Sequence, residues 1–203
     1  MSQRTGASDT AVRLFQYGSN MDQDWFSQQR KEYEAHAPAG TSLQVRLLGR
    51  ARLDAWRFHT NLWSAGRVRR KRNEPSLADR ESCRVANIMS EDGAVVWGAL
   101  YEISSALVTR CDGERSVLDR IEGHRTTSDP ENYAKICVTV DLGGESRTAW
   151  TYIGLNDAIK RCETQHPGTT CDRDYAATVI RGARSIGVPE DYVEELRRAL
   201  GAA

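Results

Sequence analysis

The first clear pattern lies at Val12-Arg-Leu-Phe-Gln-Tyr17, where apolar and polar positions alternate and predict a half-buried strand. That run ends in Gly18-Ser19-Asn20, three turn-forming residues. Asn20 and Asp22 come next as capping residues for a helix predicted over roughly Asp24–Ala35, which Pro38-Ala-Gly40 ends. Val45–Leu48 and Ala51–Phe58 read as extended, with Trp56 and Phe58 on one face. Arg84–Met89 and Val95–Ile103 read as two more strands, joined by a hairpin turn at Glu91-Asp-Gly93. From Ser104 or Ser105 a helix is expected to about Glu122, because Leu107, Cys111, Leu118 and Ile121 recur at helical spacing; Gly113 is a break point and Gly123 a C-terminal glycine. Tyr133–Leu142 and Arg147–Ile153 form a strand pair across Gly143-Gly144. The last third is helical, with Arg173–Ile186 ending at Gly187 and Pro189 opening a helix to Leu200. About six strands, with helices at three places and neither repeat nor linker, predict an α+β fold: a mostly antiparallel curled sheet or small β-barrel with flanking helices. Residues 1–10 read as a flexible tail and 11–203 as a single domain.

Composition narrows the function classes. The chain carries 28 Lys+Arg against 28 Asp+Glu, a balance that argues against coating nucleic acid or an anionic membrane. No apolar stretch approaches the ~20 residues a membrane helix needs. The polar start, Met1 to Thr10, has no apolar core of a signal peptide, so a cytoplasmic location is expected. The odd set Cys83, Cys111, Cys137, Cys162 and Cys171 contains no CxxC and reads as reduced thiols, with Cys162 and Cys171 flanking a loop. His36, His59, His124 and His166 make no zinc pattern, so no metal is expected. One local charge run stands out: Arg67, Arg69, Arg70, Lys71 and Arg72 within the long excursion Gly66–Glu81. A solvated loop, a lid that recognises a leaving group and a contact for an acidic partner all fit it.

Two segments carry candidate chemistry. At Tyr17-Gly18-Ser19-Asn20, a strand ending before a helix leaves backbone N–H groups in one concavity, and the helix dipole adds partial positive charge. Such a nest holds a carboxylate or phosphate; a plain capped turn is the alternative. At Leu118-Asp-Arg-Ile-Glu-Gly123, Glu122 closes a helix where the dipole disfavours an anion, and partial burial acts in the same direction. A carboxyl titrating near neutrality serves as general base and then general acid. The alternative is an exposed glutamate paired with Arg120 or Arg125.

Together the two segments resemble the signatures of the γ-glutamylcyclotransferase family, with its AIG2-like fold: a strand ending in Tyr-Gly-Ser-Asn, here Tyr17–Asn20, and a later Leu-Asp-x-x-Glu-Gly, here Leu118–Gly123. Val95-Val-Trp-Gly-Ala-Leu-Tyr101, Tyr133, Tyr175 and Gly187-Val-Pro189-x-x-Tyr192 keep the same order, so the resemblance runs over about residues 12–200. It implies release of 5-oxoproline from a γ-glutamyl compound without a cofactor, by attack of the substrate's α-amine on its own γ-carbonyl. It also implies Glu122 as the proton carrier. Gly18, Ser19 and Asn20 would grip the α-carboxylate or the oxyanion, and Tyr17, Tyr133 and Tyr175 would line the pocket and hydrogen-bond the glutamyl group or Glu122. The implied partner is a small-molecule γ-glutamyl substrate, with no nucleic acid and no membrane; a homodimer is compatible with this. A non-catalytic module that binds a small anion on the same fold is the competing expectation.

Overall fold

Among the residues that the computed structural model describes (10–32, 44–64, 84–108, 116–122 and 132–202), five strands close into a barrel. They are β1 Ala11–Gln16, β2 Val45–Trp63, β3 Arg84–Ser104, β4 Tyr133–Leu142 and β5 Glu145–Gly154, in the spatial order β1-β3-β2-β4-β5. Neighbours run antiparallel except β1 and β5, which meet in parallel at Leu14 and Trp150 and complete the ring. Closure removes the unpaired strand edges that an open sheet would expose. The expected α+β class, a small barrel with flanking helices, is the observed one.

The strand count differs from expectation because β2 and β3 bend where the pattern suggested that they end. Val45–Leu48 and Ala51–Phe58 belong to one strand, whose register against β3 shifts between Leu47 and Gly49. Arg84–Met89 and Val95–Ile103 are likewise one strand. Glu91-Asp-Gly93 does not reverse the chain: Ser90 pairs with Trp56 and Val95 with Asp54, so both flanks keep running along β2 and the residues between bulge outward. Gly93 (φ 76°) and, across from it, Ala55 (φ 62°) take the left-handed backbone there. A bulge asks for the same left-handed residue as a tight hairpin, so Asp-Gly does not distinguish them.

The helices are α1 Gln23–Glu32, α2 Val117–Ile121, α3 Asn156–Gln165, α4 Arg173–Ser185 and α5 Glu190–Leu200. The pattern did not single out α3, whose inward face is only Ala158, Ile159 and Cys162 among polar residues. The long helix expected from Ser104 to Glu122 is represented by a 3₁₀ turn, Ser105–Leu107, capped by the Ser104 hydroxyl, and by the five residues of α2. Residues 1–9 of the expected tail, the segment 33–43, the arginine-rich stretch 66–81 and 109–115 lie outside the described residues, as do His36, Cys83, Cys111, Gly113, Gly123, His124 and any pairing of Glu122 with Arg120 or Arg125. Cys137, Cys162 and Cys171 are not joined in disulfides. No helix among the described residues is long and apolar enough to cross a membrane.

One junction, at the end of β1, is held from several sides. Here the chain makes a short 3₁₀ turn, Ser19–Met21. The buried Tyr101 of β3 donates its hydroxyl to the Asn20 carbonyl at 3.0 Å, and Phe26 of α1 packs on the Tyr101 ring with centroids 5.1 Å apart. Asp22 caps α1 by accepting the Trp25 N–H at 2.9 Å and also pairs with Arg181 of α4. Gly182, next to Arg181, lets α4 approach main chain to main chain: a Cβ there would stand 2.4 Å from the Asp22 nitrogen. A methyl group that meets backbone rather than a flexible side chain has no easy escape. Gly182→Ala is therefore expected to destabilise the fold by about 1–3 kcal/mol, the usual range for overpacking; urea denaturation monitored by circular dichroism measures it.

Candidate active site

Where β1 meets the 3₁₀ turn, a small hollow of about 40 Å³ opens, lined by Gln16, Tyr17, Gly18, Ser19, Asn20, Ala86, Glu122, Tyr133, Tyr152 and Tyr175. Every site residue expected from the sequence lies on its wall. Glu122 arrives on α2, which begins with a reciprocal cap: the Ser116 hydroxyl accepts the Asp119 N–H at 3.1 Å, and the Asp119 carboxylate accepts the Ser116 N–H at 3.2 Å. Val117 and Leu118 bury their side chains, and the Glu122 N–H continues the turn to the Leu118 carbonyl at 2.9 Å.

The Glu122 carboxyl meets two side-chain amides. Gln16 Nε2 donates to Glu122 Oε1 at 2.9 Å, and Asn20 Nδ2 donates to the same oxygen at 3.1 Å. Asn20 is thus not a helix cap; Asp22 has that task and Asn20 serves Glu122. Gln16 reaches the site because β1 lies close over β3 at Gly98, where a Cβ would stand 2.4 Å from the Gln16 carbonyl oxygen.

Electrostatics set the acidity of Glu122. Burial disfavours its charged form and raises its pKa from the ordinary 4.5 to about 7; the bonds from Gln16 and Asn20 pull it down, and the neighbouring negative charge of Asp119 adds to the rise. The residue keeps partial solvent access at the hollow, while protein surrounds the carboxyl closely enough for desolvation to dominate. The direction matches expectation, and of the two expected causes, helix dipole and burial, burial carries it. A five-residue helix carries little dipole, so burial is the main agent. The same correction holds at Gly18–Asn20: these residues begin a three-residue turn, and α1 starts only at Gln23, so any pull on an anion comes from local N–H groups.

The tyrosines line the hollow, but three of their hydroxyls are bonded to main chain. Tyr17 donates to the Tyr152 carbonyl at 2.6 Å, and Tyr133 donates to the Ala86 carbonyl at 2.9 Å. The Tyr175 hydroxyl accepts the Ala86 N–H at 2.7 Å. They fix the wall; no hydrogen bond from a tyrosine to Glu122 stands among these contacts. Burial raises the pKa of Tyr17, Tyr133 and Tyr152 well above 10, with the Glu122 charge contributing to each, so all three stay neutral phenols.

Sequence reasoning missed Gln16, Ala86 and Tyr152. Gln16 left a signal: in the alternation of β1 it shares a face with Leu14, a polar residue at an inward position. Ala86 left none, since its main chain does the work, and Tyr152 sits in a strand whose neighbours Thr151 and Ala149 are buried as well. Larger clefts exist, of about 1020 Å³ beside α4 and α5 and about 600 Å³ between α5 and the β2–β3 bulge. Both are open surface grooves without a buried carboxyl, so size is a poorer guide here than the convergence of polar groups.

The acidity of Glu122 has a consequence for stability. Its pKa in the folded protein lies above that of the unfolded chain, so its contribution is fully present below about pH 4.5 and fades as pH rises through about 7. Glu122→Gln carries no such charge. Its stability relative to the parent should grow between pH 4.5 and 7 and level off above, by on the order of 2 kcal/mol after allowance for residual exposure. Thermal melts of both proteins at pH 5, 6, 7 and 8 measure this; a constant difference would contradict the assigned acidity.

Comparison with known proteins places this geometry. No curated protein matches the sequence significantly. A gamma-glutamyl cyclotransferase of known structure superposes with a TM-score of 0.62 at 18% identity, over 93% of this chain and 87% of that one. An uncharacterized human protein superposes with a TM-score of 0.62 at 18% identity, over 92% of this chain and 86% of its own. YkqA from Bacillus subtilis gives a TM-score of 0.61 at 23% identity, covering 96% of this chain but 56% of that one. At these identities the likeness establishes a shared fold. The model of the AIG2-like family matches residues 95–196, half of the chain, and the chain belongs to that family.

Proposed function

We propose that the protein is a γ-glutamyl cyclotransferase, releasing 5-oxoproline and a free amine from a γ-glutamyl amide, with Glu122 as general base and then general acid. The observation that carries the reading is a carboxyl titrating at about 7 in the same hollow as the Gly18–Asn20 main chain. Family membership and a fold shared with a gamma-glutamyl cyclotransferase support the reaction class.

The chemistry accounts for the parts. The substrate's α-amine is an ammonium at neutral pH and must lose a proton before it attacks. The Glu122 carboxylate takes that proton. The nitrogen then adds to the γ-carbonyl carbon, forming the ring bond and an oxyanion. Protonated Glu122 delivers its proton to the departing nitrogen, the old C–N bond breaks, and the second proton of the attacking amine takes the same route. Both protons lost by the α-ammonium end on the released amine, so charge and atoms balance without a co-reactant. Because the nucleophile is tethered, holding it bent toward the carbonyl is a large share of the catalysis. The Gly18–Asn20 main chain is the donor face for the α-carboxylate or the oxyanion. Tyr17, Tyr133 and Tyr175 act as wall.

One observation favours the second reading, a non-catalytic small-anion module: the hollow holds a carboxylate or a few waters, less than a glutamyl group. Catalysis therefore requires it to widen on the Glu122 side, where the wall among the described residues is one short helix end. Against an anion module stands Glu122 itself, whose ionised form would repel the ligand.

The test is incubation with γ-glutamyl-alanine, glutathione and γ-glutamyl-ε-lysine, with mass spectrometry for 5-oxoproline. Release from at least one is expected, with kcat/KM rising with pH through about 7 as Glu122 ionises. Glu122→Gln should lose on the order of 100-fold or more. Binding without release would favour the anion module. EDTA should leave the rate unchanged, and rescue of a chelated, inactive protein by zinc would refute cofactor independence.

A further inference from the structure

Asp119 takes no part in the proton transfers assigned to Glu122, yet it is fully buried. Burial pushes its pKa up, but Lys135 and hydrogen bonds from Tyr152 and Ser116 outweigh this and hold it below the ordinary carboxylate value, so it stays ionised. Lys135 Nζ of β4 lies 3.5 Å from Asp119 Oδ1 and also donates to the Val108 carbonyl. Tyr152 of β5 donates its hydroxyl to Asp119 Oδ1 at 3.0 Å. The same Tyr152 lines the hollow and accepts the Tyr17 hydroxyl on its carbonyl.

A helix of five residues is far below the length that holds itself together in water. Its direction must come from the barrel. Asp119 and Glu122 stand three apart, hence on one side of α2. Glu122 meets Gln16 and Asn20 inside the hollow, whereas Asp119 meets Lys135 of β4 and the hydroxyl of Tyr152 of β5. We propose that the buried Asp119–Lys135 pair, linked to the hollow through Tyr152, is a positioning device for Glu122, anchoring the helix that carries it while Glu122 exchanges partners. As a mechanism of catalysis this rests on the cyclotransferase reading; as a statement about how Glu122 is held, it does not.

The pair also acts on Glu122 through charge. Among the described residues, the titratable groups facing Glu122 are Tyr17 just after β1, Tyr133 of β4, Tyr152 of β5, Tyr175 of α4 and Asp119 of α2. Tyr17, Tyr133 and Tyr152 stay neutral phenols, whereas Asp119 is ionised and its charge opposes that of Glu122. Replacing Asp119 by Asn keeps an acceptor for Tyr152 but removes the repulsion and leaves the Lys135 cation uncompensated, and both effects favour ionised Glu122.

The experiment labels the protein with [δ-¹³C]glutamate and tracks the Glu122 carboxyl by NMR from pH 4 to 9, the resonance being identified by its loss in Glu122→Gln. In folded Asp119→Asn the midpoint should fall below that of the parent. With a turned-over substrate, kcat should drop ~10–100-fold while KM stays within about twofold, as for a misplaced base. An unmoved midpoint, or an unchanged kcat where turnover is measurable, overturns the proposal. If Asp119→Asn does not fold, Lys135→Met is read the same way: its midpoint must leave the parent value and return in Lys135→Arg, and a midpoint that stays put overturns the proposal. Absence of 5-oxoproline from the parent protein refutes the functional reading alone, and the titration then decides the positioning role by itself.

Discussion

Two amide donors and one burial penalty act on Glu122 in opposite directions, and the character of the site depends on which prevails. Gln16 and Asn20 bind the anion; the surrounding protein resists it, and the nearby charge of Asp119 joins that resistance. Resistance wins by enough to place the group near neutrality without locking it in one form. A carboxyl with the same two bonds at an open surface would be an ordinary acid, and one buried without them would stay protonated well past neutral pH.

The barrel makes that balance possible by bringing distant pieces of chain to one spot. β1 delivers Gln16 and the turn; β3 holds the turn through Tyr101 and offers Ala86 as a flat piece of wall; β4, β5 and α4 supply the tyrosines. Much of the polar bonding around the hollow is to main chain, from Tyr17, Tyr133 and Tyr175. The wall is therefore rigid independently of which small side chains decorate it. Glu122 alone comes from a short, weakly self-supporting helix, and this makes the anchoring proposed for Asp119 and Lys135 a natural complement.

How much of this is legible in the sequence depends on the physics of each signal. Alternation and glycine pairs expose β1, the β4–β5 hairpin and the terminal helices, because those features are local. The two bulged strands look divided in the sequence, since a bulge and a turn demand the same backbone conformation from Gly93 and only long-range pairing separates them. The residues Tyr17–Asn20 and Glu122 stand out through motifs, and the geometry brings them together. Gln16 is within reach as a polar residue on an inward face. Tyr152, Ala86 and Lys135 are not, because their contributions exist only once strands far apart in sequence are side by side. The raised pKa of Glu122 is expected from the sequence on two grounds, the helix dipole and partial burial; the first proves minor, and the extent of the second needs the fold to be seen.

The hydrogen bonds that build the hollow join residues 47 to 135 positions apart, from Tyr133 with Ala86 to Tyr17 with Tyr152. Such contacts carry a heavy loop-closure entropy and form late, after the local hairpins. A chain that held only its local hairpins and helices would therefore lack the hollow. The chemistry proposed for the hollow would thus wait on completion of the whole topology, and an unfinished chain would hold no assembled site.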